Sequence, residues 1–405
     1  MARLLLFLLL LPPIIHAQKA RKPLTAPIAL TGVTIIDANH PKGLKAQTIL
    51  ITGDSIQQTG PDGSIKIPDS ARTYDCNGKF LLPGLIDTHV HLATDPSGVD
   101  NRQHTLETLQ KMLKTGITVV RDMAGDARTL AGLARDTHTG DITGPEIYYS
   151  ALMAGPSFFN DPRTHTSSAG GIAGQMPYMQ AVTDTTDLVT AIARAIGTGA
   201  TGIKLYAKLD AKLTAAIVKE AKKQGILVWS HAWLGPAKPS EIIEAGVSSV
   251  SHACLLARDT PTIPIITLMK QHHTILDATL LTYKEWARED TTHRLTYEQA
   301  KEYTAKAYSA GIPITAGTDD DQTKFVQEEI KLLVQDAGLT PADAITAATL
   351  NGAKALGIEN QYGTIQKGKK ASLLILNQNP LTDIANIDSV FLVVKLGKQY
   401  SPFKK

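Results

Sequence analysis

From Leu82 to about Asn360, apolar runs of four to six residues alternate with segments of helical period. A short apolar run reads as a buried strand, and a 3.6-residue period reads as a helix with one buried face. Repeated alternation therefore predicts βα units around a parallel sheet. The predicted strands are Leu85–His91, Thr118–Asp122, Glu146–Ser150, Gly202–Tyr206, Ile226–His231, Ser248–His252, Thr274–Thr279 and Ile312–Ala316. Helical periodicity lies between them, as in Leu106–Lys114, Asp187–Gly197, Ala211–Gln224, Lys238–Ala245, Tyr297–Ala310 and Lys324–Ala337. Eight such units fit a (β/α)8 TIM-like barrel, whose usual size is about 250 residues. A doubly wound sheet is the alternative.

The two chain ends read differently. Strands are predicted at Ile28–Leu30, Val33–Ile36, Thr48–Ile51 and Ser55–Gln58, and again at Ala371–Leu376 and Val390–Lys395. Neither block is a domain alone, so we expect one small β-sandwich built from residues 24–81 and 362–403, with the barrel, residues 82–361, inserted between them. The fold class is thus α/β, a barrel with a satellite sandwich. Two long segments, Met153–Tyr178 and Leu281–Arg294, read as loops. The first, rich in Gly, Ser and Pro, follows the third barrel strand and is expected to be either a lid or a surface loop.

Composition bounds the chemistry. The chain holds 41 basic and 38 acidic side chains, with a formal charge of +3 and no basic block. That gives no electrostatic footprint for nucleic acid, so the expected partner is a small molecule; a homo-oligomer is compatible with the sequence. Cys76 and Cys254 cannot build a four-cysteine zinc site, which leaves His and carboxylate groups as metal ligands. At the start, Arg3, the apolar run Leu4–Leu11, Pro12, Pro13 and the small Ala17 follow the pattern of a secretory signal peptide over residues 1–17. The run is shorter than the ~20 apolar residues of a membrane span. The expectation is a periplasmic or secreted protein with no stable span after signal removal, the alternative being an uncleaved anchor.

The strongest chemical signal is Asp87-Thr88-His89-Val90-His91 at the end of the first barrel strand. Residues i and i+2 of a strand share a face, so His89 and His91 offer two imidazoles side by side. Alone, such a pair is not diagnostic. Lys204, His231, His252 and Asp319 each fall at the C-terminal end of another strand, the face where barrels place catalytic groups. Taken singly, His231 also fits a buried structural histidine and Lys204 a strand lysine. Tyr206 shares a strand face with Lys204 and is a candidate catalytic donor to a substrate oxyanion, or an aromatic packed at the rim. His165 is a weaker candidate for substrate binding. Arg121 and Asp122, which end the second strand, are expected to pair with each other. Gly363–Lys369 spells most of a phosphate loop, but Lys370 stands where a Ser or Thr is needed and a strand follows. Ser157 has no G-x-S-x-G frame.

The chain resembles the amidohydrolase superfamily, in its imidazolonepropionase-like and prolidase-like branch. The likeness rests on Pro83–His91, Gly116–Asp122, Gly202-Ile203-Lys204, His231, Ser251-His252 and Gly317-Thr318-Asp319, and continues through Thr340–Gly357 and Gly363-Thr364-Ile365. It implies an amidohydrolase that cleaves a C–N bond in an amide, dipeptide, N-acyl amino acid or cyclic amide. It also implies two divalent metal ions, zinc foremost. Lys204 would be carbamylated by CO2 and bridge them; His89, His91 and Asp319 would hold one, and His231 and His252 the other. A bridging hydroxide would attack, and Asp319 would move its proton to the leaving nitrogen. Two departures stand out: Ala232-Trp233-Leu234 follow the strand-five histidine, and Ala371-Ser372 replaces a common Ala-Asp. Asp319, Asp320 and Asp321 are consecutive, and the position after Gly317-Thr318 selects Asp319. The other readings are a mononuclear metal deaminase, which has no need of Lys204, and a non-catalytic binding module on the same fold.

Overall fold

Both ends of the chain meet in one mixed sheet. The computed structural model describes residues 26–93, 101–258, 264–319 and 325–401, so the expected signal peptide lies outside the described residues. Strands β1 (Ile28–Ile35), β2 (Leu44–Thr52), β3 (Ser55–Pro61), β4 (Arg72–Asp75) and β5 (Phe80–Pro83) come from the N-terminal side. Three more, given below, come from the C-terminal side. β1 is one strand where two were expected: a register shift after Leu30 accommodates Gly32, whose φ of 70° favours glycine.

The chain then passes through Gly84 into the barrel. Its first part runs β6 (Leu85–Val90), α1 (Arg102–Lys114), β7 (Ile117–Asp122), α2 (Ala127–Thr139) and β8 (Glu146–Ala154). A short helix α3 (Pro162–Thr166) and the hairpin β9 (Gln175–Met176) and β10 (Met179–Ala181) follow. Next come α4 (Leu188–Ile196), β11 (Gly202–Leu205), α5 (Ala211–Lys223), β12 (Leu227–His231), α6 (Pro239–Glu244) and β13 (Ser249–Ser251). The last turns are α7 (Ile265–His272), β14 (Ile275–Asp277), α8 (Leu280–Glu289), α9 (Arg294–Ser309), β15 (Ile314–Thr315) and α10 (Val326–Gln335). The chain returns to the first sheet as β16 (Leu373–Leu376), β17 (Val390–Lys395) and β18 (Lys398–Tyr400). That sheet runs β18-β17-β16-β5-β1-β2-β3, with β4 beside β1.

Barrel neighbours β6, β7, β8, β11, β12, β13, β14 and β15 pair in parallel, in that order. The ring is drawn together by the Thr88 amide donating to the Ala316 carbonyl at 3.0 Å and the Asp319 amide to the His89 carbonyl at 2.8 Å. The (β/α)8 expectation is therefore correct, and the satellite sheet with it. Barrel strands are buried on both faces; every residue of β6, β7 and β11 is buried, as a helix-covered parallel sheet requires. Aspartates start several helices: Asp126, Asp187 and Asp210 each accept a backbone N–H in the first turn of α2, α4 and α5. The satellite sheet has its own core around Leu30, Ile49, Ile56, Leu81, Leu373 and Val394. It is tied to the barrel by Lys395, 3% exposed, whose Nζ reaches Glu146 at 2.7 Å and the Thr137 carbonyl at 2.6 Å.

Both expected loops carry structure. Met153–Tyr178 extends β8 and then forms a 3-10 turn over Pro156–Asn160, the helix α3 and the edge strand β9. Leu281–Arg294 is mostly α8. Its N-terminus is capped from far away: Glu329 of α10 accepts the Leu280 and Leu281 amides at 2.9 and 2.7 Å. A tertiary cap of this kind satisfies the free N–H groups of a helix start without leaving a local signature.

Candidate active site

Alternation along β6 sends His89 and His91 to the same side, with ring centroids 5.4 Å apart. The remaining groups arrive from neighbouring strand ends: Lys204 from β11, His231 from β12, His252 just beyond β13 and Asp319 just beyond β15. One Asp319 oxygen lies 3.5 Å from His89 Nε2 and 3.2 Å from His91 Nε2; the other lies 3.7 Å from His252 Nδ1. His252 Nε2 meets His231 Nε2 at 3.0 Å. The residues singled out as ligands from sequence thus converge at the C-terminal mouth of the barrel. Two of them sit in left-handed backbone, His252 at φ 75° and Asp319 at φ 46°. Such strain in non-glycine residues persists where the surroundings over-determine the position, and it clusters at functional sites.

The electrostatics suit a cation. Burial drives His89 down to about 4 and His252 to about 3, and it holds His231 well below the ordinary range with help from His252. These imidazoles are neutral at physiological pH, as metal ligands must be. Burial also opposes charge on His91, but the hydrogen bond and charge of Asp319 prevail and raise it. Desolvation would raise Asp319, yet the surrounding imidazoles, His89 first, hold its carboxyl far below the usual range. Lys204 is fully buried, and burial lowers its amine to about 8.

Of the buried polar side-chain atoms without a hydrogen-bond partner among the described residues, two belong to the proposed ligands: His89 Nε2 and Lys204 Nζ. Leaving such atoms unpaired costs about 1–3 kcal/mol each, a cost that coordination to a cation would remove. His89, His252 and Asp319 present ligand atoms within 4.8 Å of one another. The residues present therefore fit a His and carboxylate metal site.

Asp277, at the end of β14, was not singled out from sequence. It accepts His89 Nδ1 at 2.9 Å, Arg121 Nη2 at 3.2 Å, Ser251 Oγ at 3.0 Å, Thr88 Oγ1 at 2.9 Å and Thr315 Oγ1 at 3.2 Å. It thereby fixes the His89 tautomer and aims Nε2 at the centre. Gly317 keeps room for it, since a Cβ there would overlap an Asp277 oxygen and His89. Asp87 similarly clamps β6 to the Gly317-Thr318 turn, accepting the Thr318 amide at 3.1 Å and its hydroxyl at 2.9 Å; burial pushes its carboxyl up to about 7.

One pairing is corrected. Arg121 does not pair with Asp122, because adjacent strand residues point to opposite sides. Arg121 points into the barrel, where it donates to Asp277, to the Thr88 carbonyl at 2.6 Å and to Ser249 at 3.2 Å, with Trp229 stacked 4.8 Å away. Asp122 instead accepts the Leu92 and Ala124 amides at 2.6 and 3.2 Å. His165 is not brought to the centre: its ring is exposed and its Nε2 lies 3.1 Å from the Phe159 carbonyl, beside a cavity of about 490 Å³ under the β8–α4 connection. Tyr206 does reach the site, its ring edge-on to His231 at 4.2 Å and packed on Phe158 at 4.7 Å.

A barrel with a His and carboxylate cluster that could hold a metal ion at its C-terminal mouth is the architecture of a class of hydrolases that is generally metal-dependent. The amidohydrolase family matches residues 80–399, and the chain belongs to that family; it is an enzyme acting on carbon–nitrogen bonds. It is similar to the ochratoxinase of Aspergillus niger, with 26% identity over 375 residues covering 80% of this chain and 75% of the relative. It is equally similar to the imidazolonepropionase of Streptomyces griseus subsp. griseus, 26% identical over 375 residues covering 81% of this chain and 85% of the relative. Among solved structures, a Xaa-Pro dipeptidase with bound methionine in its active site shares the fold at a TM-score of 0.81 and 23% identity, covering 93% of this chain and 100% of that one.

Proposed function

We propose that this enzyme hydrolyses the amide bond of a dipeptide or N-acyl amino acid at a two-metal centre. The carrying observation is the contact of Asp319 with His89, His91 and His252, and of His252 with His231, at the same end of the barrel as the buried Lys204 amine, with His89 Nε2 and Lys204 Nζ lacking hydrogen-bond partners. His89, His91 and Asp319 would hold one cation, His231 and His252 the other, and Lys204 as a carbamate would join them. Two divalent cations, zinc foremost, would polarise the amide carbonyl and acidify the attacking water. Asp319 takes the proton of that water and delivers it to the departing nitrogen. Tyr206, facing His231, donates its phenol O–H toward the developing oxyanion. Asp277 keeps His89 oriented throughout. A mononuclear deaminase makes no use of the buried Lys204 amine, which is why it ranks second. The test is hydrolysis of dipeptides, N-acyl amino acids and cyclic amides by metal-loaded enzyme, with metal content measured on the same sample.

Lys204 supplies a separate prediction. Carbamylation consumes the neutral amine, and with the amine near 8 in the metal-free protein, its neutral fraction rises from roughly one hundredth at pH 6 to about one half at pH 8. Reconstitution with metal and bicarbonate should therefore speed up roughly fifty-fold over that interval, and Lys204→Ala should bind at least one metal fewer per chain. A reconstitution rate that is flat with pH, or full metal occupancy in the variant, refutes the bridging role.

Export remains our reading of the N-terminus. N-terminal sequencing of the mature protein from its native host should begin near residue 18; an intact Met1 on cytoplasmic protein defeats it. Among the described residues, no helix is long and apolar enough to cross a membrane.

A further inference from the structure

Thr279 stands at the N-cap position of α8, where a threonine ordinarily turns its hydroxyl to a backbone N–H of its own helix. Among the described residues it makes no such bond. Its backbone is left-handed, at φ 52°, an outlier for a β-branched residue, and its hydroxyl oxygen lies 2.9 Å from His252 Nδ1. The start of α8 is satisfied instead by Glu329, which takes both the Leu280 and the Leu281 amides. A remote carboxylate replaces the local cap, and the Thr279 hydroxyl goes to the histidine.

The rest of the first turn of α8 serves the same corner of the site. Thr282 donates its hydroxyl to the Thr318 carbonyl at 2.8 Å and is shared with the Asp319 carbonyl, while the Tyr283 ring stands edge-on to His252 at 6.0 Å. His252, Thr279 and Asp319, all in left-handed backbone, are therefore tied together by one helical turn. Thr279 and His252 are buried, so their contact is shielded from bulk water. Two residues earlier on the same strand end, Asp277 accepts His89 Nδ1 at 2.9 Å. Asp277 and Thr279 thus hold the Nδ1 atoms of two different histidines of the site. With Nδ1 of His252 occupied, the other ring nitrogen, Nε2, is the one that faces His231 at 3.0 Å.

We propose that Thr279 is the positioning residue of His252: its hydroxyl oxygen accepts the Nδ1 proton, fixes the ring's orientation and tautomer, and leaves the Nε2 lone pair for a cation beside His231. Glu329 is part of the same device, because it caps α8 in place of Thr279. The proposal rests on the metal-centre reading above. Which nitrogen of an imidazole binds a metal is set by the hydrogen bond that the other nitrogen makes, and that bond also raises the basicity of the ligating atom. Thr279 acts only through His252. Since His89 has its own support in Asp277, removing the Thr279 hydroxyl should weaken one cation and spare the other.

The experiment titrates zinc into the metal-free full chain against a competing chelator. Thr279→Val keeps the β-branched shape and removes the hydroxyl; Thr279→Ser keeps the hydroxyl. Wild type should bind two zinc ions. In Thr279→Val one of the two affinities should fall about ten- to hundred-fold, the usual loss when a support of a ligand histidine is removed, with the other staying within a few-fold. Thr279→Ser should return the weakened site to within a few-fold of wild type. Unchanged affinities in Thr279→Val, an equal fall at both sites, or a loss that Thr279→Ser does not recover overturns the positioning role and leaves the metal centre intact. Fewer than two zinc ions on wild type fells the two-metal reading instead. In that case a single site that Thr279→Val weakens and Thr279→Ser restores still upholds the role of Thr279, and no zinc binding at all overturns it. Should Thr279→Val fail to fold, a crystal structure of zinc-loaded wild type decides. His252 bound through Nε2, with its Nδ1 within hydrogen-bond distance of Thr279 Oγ1, upholds the proposal; binding through Nδ1, or a Thr279 hydroxyl turned onto α8, overturns it.

Discussion

Asp319→Asn should leave the barrel folded and cut turnover by at least 10²–10⁴-fold, the range that general acid–base groups supply. Asn is close in shape and among the non-glycine residues that best tolerate left-handed backbone, so the φ of 46° at this position is no obstacle to folding. The Asp319 amide bond to the His89 carbonyl and the Thr282 hydroxyl bond to the Asp319 carbonyl are main-chain contacts that the substitution preserves. What is lost is the carboxylate that reaches His89 and His91 together, and with it both a ligand and the base. The neighbouring Asp320 and Asp321 lie outside the described residues, so their Asn variants serve as controls. Turnover per folded, metal-loaded molecule should collapse for Asp319→Asn alone. If Asp319→Asn stays within a few-fold of wild type while another of the three is dead, the assignment moves to that residue. A purely structural aspartate would lower stability and spare the specific activity of the folded fraction.

The parts of this site that were readable from sequence are those set by local periodicity. His89 and His91 are two apart on a strand, so their shared face follows from the pleat. Lys204, His231, His252 and Asp319 each end an apolar run, and the barrel rule brings strand ends together. Asp277 ends a strand in the same way, but nothing nearby marks it. Its importance comes from Thr88, Arg121, Ser251 and Thr315, which four other strands deliver to it. The capping of α8 by Glu329 is hidden for the same reason, the partners being 49 and 48 residues apart. Strand β5 was missed because its four residues owe their state to distant neighbours, β1 on one side and β16 on the other. The Arg121–Asp122 pairing was avoidable: alternation along a strand already forbids it.

Asp277→Ala should be the most destabilising single change in the centre, by about 3–5 kcal/mol, the cost of stranding one member of a buried ion pair. Arg121 and Asp277 are both fully buried, and among the described residues the guanidinium has no other carboxylate as a hydrogen-bond partner. Burial alone would raise the Asp277 carboxyl, but the hydrogen bond and charge of His89 and the charge of Arg121 hold it well below the usual carboxylate range. A lowered folded-state value means that the unfolded chain takes up the proton first. The stability contributed by Asp277 is therefore complete above the ordinary value of 3.8 and drains away as pH falls below it. Urea unfolding of the metal-free chains at pH 7 measures the loss, and Arg121→Met combined with Asp277→Leu identifies its origin. If the cost of Asp277→Ala comes from an uncompensated guanidinium, removing both charges should restore at least half of it, since apolar replacements of a buried pair are often neutral. A double variant as unstable as Asp277→Ala would assign the loss to the hydroxyl contacts of Thr88, Ser251 and Thr315. A loss under about 1 kcal/mol in Asp277→Ala would mean that water has replaced the carboxylate, and that His89 is held in place by packing alone.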